Sequence, residues 1–297
     1  SMGGKWPPDL AHPGRTVRIE RLDLVEAGED ELVDLVRRKQ PEAIYHLAAQ
    51  SNPQQSVSDP RGTWALNLGG TLNLLECAIA AGADRFVFTS TTSLMITQEI
   101  RDETSDHAVW LDEASGPLSP RNIYGVTKRA AEELCRLVHA ETRLPIIVLR
   151  TSRFFPEDDD THRELSGENM KANEFLNRRL TVEDCARAHI AALDRAPAIG
   201  FATYIASAPT PFSRDDVVEL KRDARAVIAR LFPDAAELFA ARGWSLPTGI
   251  GRVYDASAIE RGLGFRCATD FASILSALRA GDELPFEHDA AYVSPKE

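Results

Sequence analysis

Ala43-Ile44-Tyr45-His46-Leu47-Ala48-Ala49 is an apolar run interrupted by one histidine, too short for a helix of its own and of the length expected for a buried strand. Before it, Glu31-Leu32-Val33-Asp34-Leu35-Val36-Arg37-Arg38 repeats its apolar positions at spacings of three and four, the period of an amphipathic helix. Earlier still, Thr16-Val17-Arg18-Ile19-Glu20-Arg21-Leu22 alternates apolar and polar residues at period two, which predicts a strand ending at Asp23. The unit is strand, helix, strand.

The alternation continues outward from that unit. The patterns predict a long helix over 64–80, a strand over 85–89, a helix over 124–142 and a strand over 145–150. Strands and helices alternating at this spacing give an α/β fold, a doubly wound parallel sheet of Rossmann-like type with helices on both faces. Crossovers of one hand place every strand's carboxyl end along one edge, where ligands bind in such sheets. Beyond Arg150 the pattern loosens into the acidic Phe155-Pro156-Glu157-Asp158-Asp159-Asp160, a change of lobe. The expected division is a main region over 1–155 and a smaller C-terminal lobe over 156–297, with some segments of the latter returning to the main sheet. That second part carries a helix over 182–195, a strand over 202–206 and a helix opened by Ser213, with Asp216 placed as in a capping box.

Of the 297 residues, 43% are apolar and 27% charged, ordinary for a folded globular chain. A net charge of −11 provides no basic face for a nucleic acid and repels an anionic membrane surface, so a small-molecule partner is favoured. The N-terminus has no apolar core of a signal peptide, and no run approaches the roughly 18 apolar residues of a spanning helix. Cys77, Cys135, Cys185 and Cys267 lie far apart, with no metal-binding or redox spacing, which fits reduced thiols in a cytoplasmic setting and no bound metal.

The chemistry concentrates in Tyr124-Gly125-Val126-Thr127-Lys128. A phenol and an ammonium four residues apart share one helix face. A phenol titrates near 10 in water, and a lysine cation beside it favours the phenolate, bringing it toward general acid/base work at neutral pH. Such pairs also arise by chance on many helices, so the neighbouring segments decide the reading.

Those segments carry a resemblance. Tyr124-Gly-Val-Thr-Lys128 resembles the helix start of the extended short-chain dehydrogenases of the nucleotide-sugar epimerase and dehydratase type. In the order that family shows, His46-Leu47-Ala48-Ala49-Gln50-Ser51 resembles the end of its fourth strand, Asn67-Leu-Gly-Gly70-Thr71 the next helix, and Arg85 to Thr91 the strand delivering a catalytic Ser or Thr. Thr16 to Leu24 resembles its third strand, 180–189 a helix of its substrate lobe, and 252–265 its C-terminal strand and helix.

The resemblance implies an NAD(P)-dependent epimerase or oxidoreductase acting on a carbinol carbon, with a nucleotide sugar as substrate and a homodimer built on helices 64–80 and 124–142. It implies Tyr124 as acid/base, Lys128 on the nicotinamide ribose, and Thr91 on the reacting oxygen. Asp23, Leu24, Leu47, Ala48, Ala49, Asn67 and Ser90 would lie along NAD or NADP, and Ser51, Thr92, Arg153 and Arg252 along the substrate. For Asn67 a purely structural role weighs equally, and His46 reads as a core histidine with both nitrogens satisfied.

The sequence departs from the family in three places. It holds no glycine-rich turn after a first strand, the element whose backbone amides grip a cofactor pyrophosphate; Gly3-Gly4 runs into Trp6-Pro7-Pro8 instead. A sheet without its first strands would expose an unpaired edge, which suggests pairing with another chain or rearrangement at the N-terminus. Thr92 and Ser93 stand where the dehydratase branch carries acids, which favours epimerase or simple oxidoreductase chemistry. The stretch between Pro156 and Leu180 is short and acidic. A non-catalytic binding protein on the same fold and a reductase of a non-sugar carbonyl remain as alternatives.

Overall fold

The computed structural model describes residues 22–25, 29–154 and 165–288. In chain order the elements are α1 (Glu29–Lys39), β1 (Ala43–His46), α2 (Pro53–Ser58), α3 (Pro60–Trp64), a π-helical turn (Ala65–Gly69), α4 (Gly70–Ala81) and β2 (Arg85–Thr91). After a 3₁₀ turn (Thr92–Met95) come α5 (Gln98–Arg101), β3 (Val109–Leu111), α6 (Ile123–Thr142), β4 (Ile146–Thr151), α7 (Gly167–Glu174), α8 (Val182–Ile199) and β5 (Phe201–Ala206). A second 3₁₀ turn (Arg214–Asp216) leads into α9 (Val217–Leu231), α10 (Ala235–Ala241), β6 (Arg252–Tyr254), α11 (Ser257–Leu263) and α12 (Phe271–Ala280).

The main sheet has the order β1-β2-β4-β5, all parallel, as the strand–helix alternation requires. Each central strand sends alternate side chains to opposite faces. Phe86, Phe88, Ile146 and Val148 pack under α4 and α6, while Val87, Ile147 and Leu149 pack under α8 and α11. β4 is buried along its whole length, the mark of a strand covered on both faces. β5 and α8 follow residue 155 in sequence yet belong to this sheet, and β3, before it, pairs with β6 in a separate two-stranded sheet.

Three expectations need correction. The apolar run at 43–49 is strand only to His46, where its pairing with β2 ends opposite Phe88. β1 is also less buried than its composition suggests: it has one neighbour among the described residues, and Tyr45 is exposed while His46 is buried. The helix expected over 64–80 starts earlier, at Pro60, and passes through the π turn at Ala65–Gly69. The strand expected at 16–22 lies outside the described residues except for Leu22.

Local chemistry explains most boundaries. Asn122 caps α6 through its side-chain oxygen, which accepts from the Gly125 amide at 2.9 Å. Gly82, in the left-handed region at φ 69°, ends α4. Ser213 and Asp216 form the anticipated capping box. Among the described residues no helix is long and apolar enough to cross a membrane.

Candidate active site

Tyr124, Lys128 and Glu132 fall on one face of α6, at successive turns, and that face lies on β2 and β4. All three are buried. Gly125 makes the close approach possible: a Cβ there would lie 2.6 Å from the Cβ of Pro120 and 3.4 Å from the Leu94 Cα, so only glycine lets the helix start sit against the loop before it.

Thr91 ends β2 at the carboxyl edge of the sheet, near enough to the Tyr124 phenol to act on its titration, and its Oγ1 accepts from the Ser93 amide at 3.1 Å. Lys128 donates from Nζ to the Thr89 carbonyl at 2.6 Å and lies 4.4 Å from the centre of the Phe88 ring. An ammonium has three N–H donors, so two remain for a ligand. Helix and strand thus bring together the three residues named as catalytic from sequence.

The electrostatics differ from the sequence expectation. Burial raises the Tyr124 phenol above its ordinary value, and the bond from Thr91 opposes this only in part. Lys128 makes no hydrogen bond to Tyr124, because its ammonium is turned to the Thr89 carbonyl. Burial also pulls Lys128 itself down to about 8, against the opposing pull of neighbours on α6. Desolvation therefore outweighs the charge pairing on which the expected phenolate rests.

Asn67 is 1% exposed, and its amide is fully engaged by protein groups. Its oxygen accepts from the Gln50 amide at 2.7 Å, and its nitrogen donates to the Gln50 carbonyl and to Thr127 Oγ1, both at 3.1 Å. It clamps the loop after β1 to α6. Leu47, Ala48 and Ser51 are exposed on that loop and Ala49 is partly buried. Asp23 and Leu24 form a turn in which Asp23 accepts from the Val25 amide, and the Leu24 carbonyl accepts from Asn73. His46 is buried with Nε2 bonded to Thr71 Oγ1 at 2.8 Å, but its Nδ1 has no partner, so the expectation of two satisfied nitrogens holds for one only. Burial, and then the Lys128 charge, hold it neutral with a pKa of about 3.

Ser90 does not face the edge. Its hydroxyl donates to Glu132 at 2.6 Å, and Glu132 also accepts from the Arg150 guanidinium, with the shortest contact at 2.8 Å. This buried group escaped the sequence reading, although two signals were present: Glu132 continues the 124, 128 spacing, and Arg150 is the one charge in Ile146-Ile147-Val148-Leu149-Arg150.

On the substrate side, Thr92 is buried and donates to the Thr151 carbonyl at 3.3 Å. Arg153 reaches Glu174 at 3.0 Å, and the same carboxylate takes Arg178 and Arg179 at 2.7 Å each. Burial pushes Glu174 up, but Arg178, Arg153 and Arg179 together hold it below the usual carboxylate range. The segment carrying these arginines bridges the two sheets: the Arg153 amide donates to the Arg178 carbonyl, and the Tyr254 amide to the Asn177 carbonyl. Arg252, on β6, has a buried Nε without a partner. Burial and the charges of Arg101 and Arg252 lower the pKa of Arg121 nearby. Glu174 thus gathers three guanidinium groups at one buried carboxylate. A cavity of about 790 Å³ opens elsewhere, between the start of α8 and residues 281–288; it includes none of these catalytic candidates and is lined by six carboxylates, a poor setting for an anion.

Comparison with known proteins places these features in context. The family model described as the NAD dependent epimerase/dehydratase family matches residues 8–200. A GDP-6-deoxy-D-mannose reductase of Pseudomonas aeruginosa is 37% identical over 115 residues, covering 39% of this chain and 35% of that protein. A UDP-glucose 4-epimerase of Rhizobium meliloti is 37% identical over 119 residues, covering 40% of this chain and 34% of that protein. The matched segments thus span about a third of each relative's length. A solved structure of RMD from Pseudomonas aeruginosa complexed with NADPH superposes with a TM-score of 0.58 at 23% identity, covering 91% of this chain and 90% of that one, a likeness of fold.

Proposed function

Since the chain belongs to the NAD dependent epimerase/dehydratase family, we propose that it is an NAD(P)-dependent epimerase or oxidoreductase working on a carbinol carbon of a nucleotide sugar. The observation that carries this reading is the placement of Thr91, at the carboxyl end of β2, beside the start of α6, whose buried face carries Tyr124 and, one turn on, Lys128.

The residues present fit the nicotinamide end of such a cofactor. Lys128 donates once to the protein and keeps two N–H donors for ribose hydroxyls, and Leu47 and Ala48 are exposed on the loop after β1. The pyrophosphate end has no glycine-rich turn in this sequence. A bound nicotinamide supplies a hydride acceptor or donor. Tyr124 takes the substrate hydroxyl proton at its phenol oxygen, or returns it, while Thr91 Oγ1 orients that oxygen and Lys128 stabilises the phenolate by its charge. Binding must displace water and bring a ligand to these groups for the phenol to fall from its raised value.

The lobe formed mainly by 156–297, joined by β3, would hold the sugar nucleotide. Arg153 and Arg252 are suited to a diphosphate, since planar guanidinium groups bind phosphate oxygens in pairs. A nucleotide sugar is supported by the GDP- and UDP-sugar names of the relatives. Exposed apolar residues on the helices of the expected dimer, Trp64, Leu72 and Ile79 beside Val126 and Leu137, support a homodimer. Four buried free thiols suit a reducing compartment such as the cytoplasm.

Isothermal titration with NAD and NADP tests the cofactor. Micromolar binding is expected, and no heat at millimolar cofactor would turn the assignment toward a binding protein on a retained fold.

A further inference from the structure

Glu132 lies one helical turn beyond Lys128 on the buried face of α6, with 8% of its side chain exposed. Its position is fixed from two strands. Arg150 on β4 donates from Nε to Oε1 at 3.0 Å and from Nη2 to Oε2 at 2.8 Å, and Ser90 on β2 donates to Oε1 at 2.6 Å. The Ser90 carbonyl in turn accepts from Thr151 Oγ1 at 3.0 Å. A carboxylate with this many donors cannot swing away, so its charge stays at a constant separation from the lysine on the same face.

The other groups around Lys128 cannot supply that charge. From its own helix come the Tyr124 phenol, held neutral by burial, and the Cys135 thiol, which burial keeps protonated well past the range of a lysine. From β1 comes neutral His46, from β2 the Thr89 carbonyl and the Phe88 ring, and from β4 the Arg150 cation behind Glu132. We propose that Glu132, held by Ser90 and Arg150, is the positioning residue whose fixed negative charge keeps Lys128 an ammonium ion in its buried site. Without it a larger share of Lys128 would be neutral amine at physiological pH, weakening the charge that stabilises a phenolate at Tyr124.

This deepens the acid–base reading of the site, but its test is made on the protein alone, so a failed turnover assay and a failed titration remain distinguishable. The chain has six lysines, few enough for ¹³Cε-labelled lysine signals to be followed singly by NMR, with Lys128→Met identifying the signal of interest. In the unaltered protein the midpoint should lie at about 8. Glu132→Gln should lower it by about one unit or more, and Glu132→Asp should restore most of the shift. Ser90→Ala, which keeps the charge, should move it far less. If Glu132→Gln does not fold, Glu132→Met with Arg150→Met removes the pair without leaving a lone buried charge, and the midpoint should still fall. A midpoint unmoved in the variants lacking Glu132, or moved as far by Ser90→Ala, would overturn the proposal.

Discussion

Two buried glutamates organise the functional edge of this protein, and they do so in opposite ways. Glu132 meets one guanidinium, that of Arg150, and a hydroxyl, and the pair is closed within the fold beneath Lys128. Glu174 meets three guanidinium groups, those of Arg153, Arg178 and Arg179, and the Arg153 side chain is 29% exposed. A matched pair has little net charge at a distance, but its carboxylate lies on the same helix face as Lys128, one turn away, with the Arg150 cation behind it. The shared carboxylate ties three guanidinium groups of one segment together, and Arg153 is the most exposed of them. On the proposed function the first would serve proton chemistry and the second the substrate side, and four changes can break or sharpen that comparison.

The largest effect should follow loss of the shared carboxylate. Glu174→Gln removes the buried carboxylate that three guanidinium groups share, and stability should fall by about 3–5 kcal/mol, measured by urea unfolding. Acid should come next. His46 is depressed to about 3 from an ordinary value of 6.5, so the unfolded chain binds a proton that the folded chain refuses. The stability contribution is complete above pH 6.5 and is lost progressively as pH falls toward 3, by up to about 5 kcal/mol; His46→Gln should flatten that slope in a pH series of unfolding curves.

Lys128→Met should act with the opposite sign. The folded pKa of about 8 lies below 10.5, so burying the ammonium costs stability in full below pH 8, and the cost fades as pH rises to 10.5. Net of the lost hydrogen bond to Thr89, the variant should be about 2 kcal/mol more stable at pH 7, with the gain gone above pH 10.5. A catalytic corner that costs stability is the expected trade-off, and a destabilised Lys128→Met would show that the lysine is a structural group. The smallest effect should come from Arg153→Gln, which should weaken UDP binding about tenfold, roughly 1.4 kcal/mol, while changing the melting temperature little.

Much of this edge was legible in the residues. Strands β2 and β4 and helix α6 follow from periodicity, and Tyr124, Thr91 and Lys128 from the spacing and order of recognisable segments. What stayed hidden depends on distant partners. β3 and β6 are three residues each, and they pair across more than a hundred positions, so no local pattern announces them. The turn of Lys128 toward the Thr89 carbonyl, the bare Nδ1 of His46 and the sharing of Glu174 arise only when helix and strand meet. The raised Tyr124 shows the same limit: sequence supplies the charged neighbour, whereas burial, which decides the sign, is a property of the assembled core.

The acid–base role of Tyr124 is the centre of the account, and Tyr124→Phe tests it most directly, with UDP- and GDP-sugars as substrates and NAD or NADP present. Turnover should fall by about 10²–10⁴-fold while the melting temperature holds within a few degrees. A phenylalanine variant as active as the unaltered protein, or no turnover by the unaltered protein with any of these pairs, would contradict it.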